Sequence, residues 1–113
     1  EAGLVDLVET DHRISDEVQL MPTAGHTPGH VSVAIESKGE KALITGDMMH
    51  HPCQIARPHW AVSFDEDQEA AMRCRQNVLK ELADTPTLVI GTHFATPTAG
   101  KVVSDEDSYR FDF

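Results

Sequence analysis

Three side chains of metal-binding type follow closely on three short apolar segments. His26 lies in the loop TAGHTPGH at residues 23–30, Asp47 closes the run ALITGD, and His93 sits in VIGTHF at residues 89–94. A neutral imidazole and a carboxylate are donors that zinc and similar transition metals accept. Taken singly, His26 reads more readily as a hydrogen-bonding loop residue and Asp47 more readily as a turn-former. The convergence is what points to metal: each residue comes just after the C-terminal end of an expected strand, where a turn can be held still.

The elements that must position them follow from hydrophobic period and chain breakers. Residues 4–9, LVDLVE, carry four apolar positions in six and predict a strand. Residues 17–21, EVQLM, alternate and predict a second strand ending at Pro22. Gly25, Pro28 and Gly29 make residues 23–30 a loop. VSVAI at 31–35 and KALIT at 41–45 flank the turn SKGE and predict a hairpin. Residues 48–64 have no clear period and read as a long loop carrying His50, His51, His59 and Trp60. A helix is expected from Asp65 to about Ala83, with Asp65 as cap and Gln68 three residues on. Ala71, Cys74, Val78 and Leu82 form its apolar face. TLVI at 87–90 predicts a strand buried on both faces. Residues 101–103 and 109–113 close the chain as two short strands.

Composition narrows the classes. The 113 residues carry a formal net charge of -10 and 40% hydrophobic residues. That suits at most one domain with an aliphatic core, and disfavours nucleic acid and anionic membrane surfaces as partners. No apolar run approaches the ~20 residues that span a bilayer. Cys53 and Cys74 lack CxxC spacing and read as free thiols of a reducing compartment. No export signal opens the sequence, so the cytoplasm is the default expectation; the first residue, Glu1, suits a processed or truncated piece.

AGHTPGH, TGD some 20 residues later and GTHF farther on closely resemble the second half of the metallo-β-lactamase-fold hydrolases. GDMMHHP, the Trp60 and Phe64–Asp65 pair and HFATPTAG resemble a subgroup near lactonases and organophosphate hydrolases. The resemblance implies an α/β (α+β) fold: half of an αββα sandwich, with a mixed, mostly antiparallel sheet and one main helix at about 65–83, so that residues 1–113 form one partial domain. It implies two metals, usually zinc, and hydrolysis of a small-molecule ester, lactone, thioester, amide or phosphoester. By resemblance His26 ligates the first metal, Asp47 bridges both and is the catalytic carboxylate, and His93 ligates the second. His30 steadies the loop by hydrogen bonding. His50, His51 and Trp60 fall where the family's substrate pocket lies, although solvated loop histidines and a loop-packing tryptophan fit those positions as well.

The sequence departs from the family in one respect: the first-half motif HxHxDH is absent. Without it the first metal keeps His26 and Asp47, and the second Asp47 and His93. Catalytic zinc sites take three protein ligands, so two per metal predict weak binding and an inactive chain in isolation. The sheet's inner face would also be bare. A missing N-terminal half, or another copy in a homo-oligomer, is the expected cover. The alternative function is therefore a non-catalytic half-fold module that oligomerises or complements a separate first half.

Overall fold

The computed structural model describes residues 2–113. Six strands form a sheet in simple sequential order: β1 (Val18–Pro22), β2 (Val31–Ser37), β3 (Glu40–Ile44), β4 (Leu88–Ile90), β5 (Ala99–Asp105) and β6 (Ser108–Asp112). All neighbours are antiparallel except β3 and β4, where Leu43 pairs in parallel with Val89. The β2–β3 hairpin turns on Lys38 and Gly39, with φ of 52° and 82°. Two consecutive positive values are what a tight hairpin matching strand twist requires. The parallel pair needs a long crossover. It contains a 3-10 turn at Gly46–Met48, a short helix α1 (Cys53–Ala56) and the main helix α2 (Gln68–Leu82).

This topology explains why the candidate side chains can meet. β1 and β3 are both antiparallel to β2, and β4 is parallel to β3. Strands β1, β3 and β4 therefore point the same way, and the segments that follow them leave one edge of the sheet. Those segments carry His26, Asp47 and His93.

Helix α2 and the segment before it cover one sheet face. Leu43, Val89 and Val102 are buried there with Val78 and Leu79 of α2 and with Met48, Met49, Ile55 and Phe94. The helix begins at Gln68, later than expected, because Asp67 is the cap: its carboxylate accepts the Ala70 N–H at 2.9 Å. Asp67→Ala should cost about 1 kcal/mol in urea unfolding, the usual loss of one capping bond; no loss would mean the cap is inert.

The opposite sheet face is different. Val18, Leu20, Val33, Ile35, Ala42 and Ile44 alternate with the buried set and are only half-buried. None belongs to the core cluster.

Several sequence expectations need correction. Residues 4–9 form no strand, and Leu7 is 96% exposed: an apolar run becomes a strand only where a neighbour accepts its backbone hydrogen bonds. The crossover segment is more ordered than a loop, holding the 3-10 turn and α1. β4 is covered on one side only, since Val89 is fully buried while Leu88 is 38% exposed. Both cysteines are free, and burial pushes the Cys74 thiol above its ordinary pKa. No helix among the described residues is long and apolar enough to cross a membrane.

Candidate metal centre

The site is built around Asp47, at the end of β3. The turn that presents it is tied to the turn after β4. Thr45 N–H donates to the Ile90 carbonyl at 3.0 Å, and Gly46 N–H donates to Thr92 Oγ at 3.0 Å. Gly46 is required twice over: its φ is +56°, and a Cβ there would lie 2.8 Å from the His30 ring.

His30 fixes Asp47 from the other side. Its Nε2 accepts the Asp47 N–H at 2.8 Å. An accepting Nε2 leaves the proton on Nδ1, which lies 3.0 Å from the Thr23 carbonyl and 2.9 Å from Thr23 Oγ. His30 thus steadies the backbone of the carboxylate and offers no nitrogen to the centre.

The Asp47 carboxylate gathers three imidazoles. His26 Nε2 lies 3.7 Å from Oδ2, while His93 Nε2 hydrogen-bonds Oδ1 and His50 Nε2 lies 3.6 Å from Oδ1. The hydrogen bond with His93 holds the Asp47 carboxyl below its usual pKa, outweighing burial, the next-largest effect, which raises it; the charges of His26, His93 and His50 add to the lowering. A low pKa keeps the carboxylate ionised, as a ligand must be. Burial, followed by the neighbouring His93, lowers the His50 pKa and favours the neutral, ligand-competent ring.

His26 is oriented from behind. Its Nδ1 lies 3.0 Å from Asp65 Oδ1, so Nδ1–H donates to that carboxylate and the Nε2 lone pair is free toward Asp47. Asp65 was expected to cap the helix; it instead buries its side chain against His26. Backbone bonds lock the same junction: Glu66 N–H to the His26 carbonyl at 3.1 Å, and Asp67 N–H to the Gly25 carbonyl at 3.0 Å. Phe64 stands edge-on to both rings, with centroids 6.0 Å from His26 and 5.0 Å from His50.

The segment after Asp47 is pinned by Arg75 and Gln54. Arg75 Nη1 donates to the Met48 carbonyl at 2.8 Å, Nε to Pro58 at 2.9 Å and Nη2 to Trp60 at 2.9 Å. Gln54 accepts the His50 N–H at 2.7 Å and donates to the Trp60 carbonyl at 3.0 Å.

The predicted residues therefore divide. His26, Asp47 and His93 come together, and His30 supports them from behind. His50, expected near the substrate pocket, lies in the cluster, its Nε2 3.6 Å from Asp47 Oδ1. His51 is exposed and accepts the Cys53 N–H at 3.1 Å through Nδ1, outside the cluster. Trp60 is exposed, and its hydrogen-bonding role is carried by its backbone carbonyl. Sequence reasoning missed Asp65 as the partner of His26, and Arg75. Arg75 had a signal: it follows Ala71 by four residues and so lies on the helix's apolar face.

The donors suit a cation: two nitrogens and a carboxylate face one point, with ring orientation set by a second carboxylate. The family model described as metallo-beta-lactamase superfamily matches residues 2–93. No curated protein matches the chain in sequence. Among solved structures, the hydrolase AbOPH of the beta lactamase superfamily is similar at TM-score 0.79 and 30% identity, covering 87% of this chain and 34% of its own. AidC, a dizinc quorum-quenching lactonase, is similar at TM-score 0.82 and 26% identity, covering 92% of this chain and 36% of its own. An N-acyl homoserine lactone hydrolase, solved with N-hexanoyl-L-homoserine at its catalytic metal centre, gives 0.63 and 27%, covering 81% and 36%. The chain spans about a third of the length of these structures. By the matched residues and by its fold, the chain belongs to the metallo-beta-lactamase superfamily.

Proposed function

We propose that the chain is the second-half portion of a zinc-dependent hydrolase acting on a small ester-like substrate, with a lactone or phosphoester the nearest classes. The observation that carries this reading is the two-sided approach to Asp47: His26 at one carboxylate oxygen and His93 at the other. A carboxylate so flanked suits a bridge between two cations. Such a pair, when bound, supplies an activated water for attack on a carbonyl or phosphoryl centre. This chain's own residues hold and orient. His26 and His93 each offer one nitrogen, Asp65 and His30 fix the ring of His26 and the backbone of Asp47, and Phe64 packs edge-on against His26 and His50. The N-hexanoyl-L-homoserine seen in the lactonase neighbours makes acyl lactones the first substrates to try.

The half-buried sheet face is the surface assigned to the remainder of the fold. Its occupant in this reading is a first-half segment bearing HxHxDH, since the similar structures are about three times longer than this chain. That segment would supply the ligands that are missing here. The same apolar face also supports a second reading, a non-catalytic half-fold that associates with its own copies.

The test is reconstitution. A first-half segment of the family carrying HxHxDH is co-expressed with this chain, and lactone, ester and phosphotriester hydrolysis is measured with zinc. Zinc-dependent turnover should appear, and Asp47→Ala should reduce it by at least about a hundredfold, beyond what loss of an outer-shell partner costs. A complex that forms and stays inactive, or a chain that elutes only as a homodimer, would favour the association module.

A further inference from the structure

Counting ligands from sequence leaves two protein donors for each cation. The structure supplies a third for one of them. The donor atoms of His26, Asp47 and His50 all lie within 4.8 Å of one another. His26 Nε2 lies 3.7 Å from Asp47 Oδ2 and His50 Nε2 3.6 Å from Asp47 Oδ1, so the two imidazoles approach opposite oxygens of the one carboxylate. A tetrahedral zinc with bonds near 2.1 Å spaces its ligand atoms about 3.4 Å apart, so donors within 4.8 Å of one another need to draw together by at most about 1.4 Å, a shift that side-chain rotation supplies. His93 hydrogen-bonds Asp47 but falls outside the mutually close set.

A second observation concerns buried atoms. Among the described residues, two buried side-chain polar atoms lack any hydrogen-bond partner: His50 Nδ1 and Asp65 Oδ2. One is a potential donor and the other an acceptor. The acceptor is the free oxygen of the carboxylate whose other oxygen already holds His26. A cation on His50 Nε2 places the ring proton on Nδ1, where an N–H seeks an acceptor. The unused Asp65 oxygen is an acceptor without a partner, and because the two atoms make no direct hydrogen bond, a bridging water is the link assigned here. Loading the site would thus satisfy both orphaned atoms.

We propose that His26, Asp47 and His50 form a one-cation site for a divalent metal of the zinc class, complete within this chain, with Asp65 holding both imidazoles. The proposal rests on the reading that the Asp47 cluster binds metal, and it deepens that reading by assigning the third donor to His50 rather than His93. Three protein donors and an open position make the arrangement of a catalytic-type zinc site without any residue from a first half.

Titration of the purified chain with zinc, and with cobalt(II) followed by its visible absorption, tests this. The unmodified chain should bind one ion, with a tetrahedral-type cobalt spectrum. His50→Ala should weaken zinc by at least about tenfold and change that spectrum, since a first ligand should cost no less than an outer-shell partner. Asp65→Asn should weaken it about 10- to 100-fold. His93→Ala should change affinity by less than about threefold. Circular dichroism of each metal-free variant verifies folding, and His50→Gln serves if the alanine variant does not fold. Should His93→Ala cost as much as His50→Ala, or His50→Ala cost nothing while His26→Ala abolishes binding, the proposal is overturned and the broader metal reading survives. Binding that is absent, or indifferent to His26→Ala, overturns both.

Discussion

Arg75→Ala is expected to remove about 3 kcal/mol or more of stability, read as a fall in the urea midpoint. Arg75 is 1% exposed, and its three donor nitrogens each meet a different backbone carbonyl, those of Met48, Pro58 and Trp60. Hydrogen bonds from a charged donor contribute about 1.5–3 kcal/mol each, and truncation leaves the carbonyls without that donor. Burial lowers the guanidinium pKa, yet an arginine stays charged in proteins, so the charge is compensated by these oxygens. Against a total stability of about 5–15 kcal/mol the loss is large. Arg75→Lys should recover only part of it, because one ammonium on a flexible stem cannot span three separated carbonyls. The segment released carries Asp47 at its start and His50 within it, so metal affinity should fall as well. A loss below about 1 kcal/mol would mean that water replaces the guanidinium at little cost, and that the crossover is held by other contacts.

What could be read from the sequence follows from how local each signal is. The loop 23–30 and the turn after β3 were legible because glycine and proline punctuate them and each follows an alternating strand. The parallel pairing of β3 with β4, which brings Asp47 and His93 to one edge, was not foreseen: the resemblance implied only a mixed, mostly antiparallel sheet, and no local pattern encodes which strands become neighbours. The run at residues 4–9 misled because composition sees apolar residues and cannot see that no strand lies beside them. Asp65 and Asp67 are both plausible caps by type. The choice was made by a partner 39 residues away, when the Asp65 carboxylate turned to His26. His50 lay in a stretch without period, and its place beside Asp47 is set by the Gly46–Met48 turn and by the Gln54 contact to its backbone. Long-range hydrogen bonds of this kind leave little trace in composition.

Gly25→Ala is the second large effect expected, and it acts on the site through packing alone. Gly25 has φ +145°, a region that side chains rarely adopt, at a strain of about 1–3 kcal/mol. A Cβ at Gly25 would also stand 2.3 Å from Ala71 Cα and 2.4 Å from Ala71 N. Those are backbone atoms of α2 and cannot swing aside as a flexible side chain would. The loop and the helix must separate by about an ångström to restore van der Waals contact. That separation pulls on the bonds from Asp67 N–H to the Gly25 carbonyl and from Glu66 N–H to the His26 carbonyl, and then on the Asp65–His26 pair. Stability should fall by about 3 kcal/mol or more. Zinc affinity should fall by at least about tenfold, because His26 loses the carboxylate that sets its ring. Gly29 in the same loop is the internal control. It is exposed, and a Cβ there meets nothing within 4 Å, so Gly29→Ala should stay within about 1 kcal/mol of the unmodified chain. Urea unfolding and zinc titration of the two variants side by side decide the matter. Equal effects would mean that the glycines of this loop serve its general flexibility. A selective loss at Gly25 would show that close backbone packing of helix on loop is what aims His26 at Asp47.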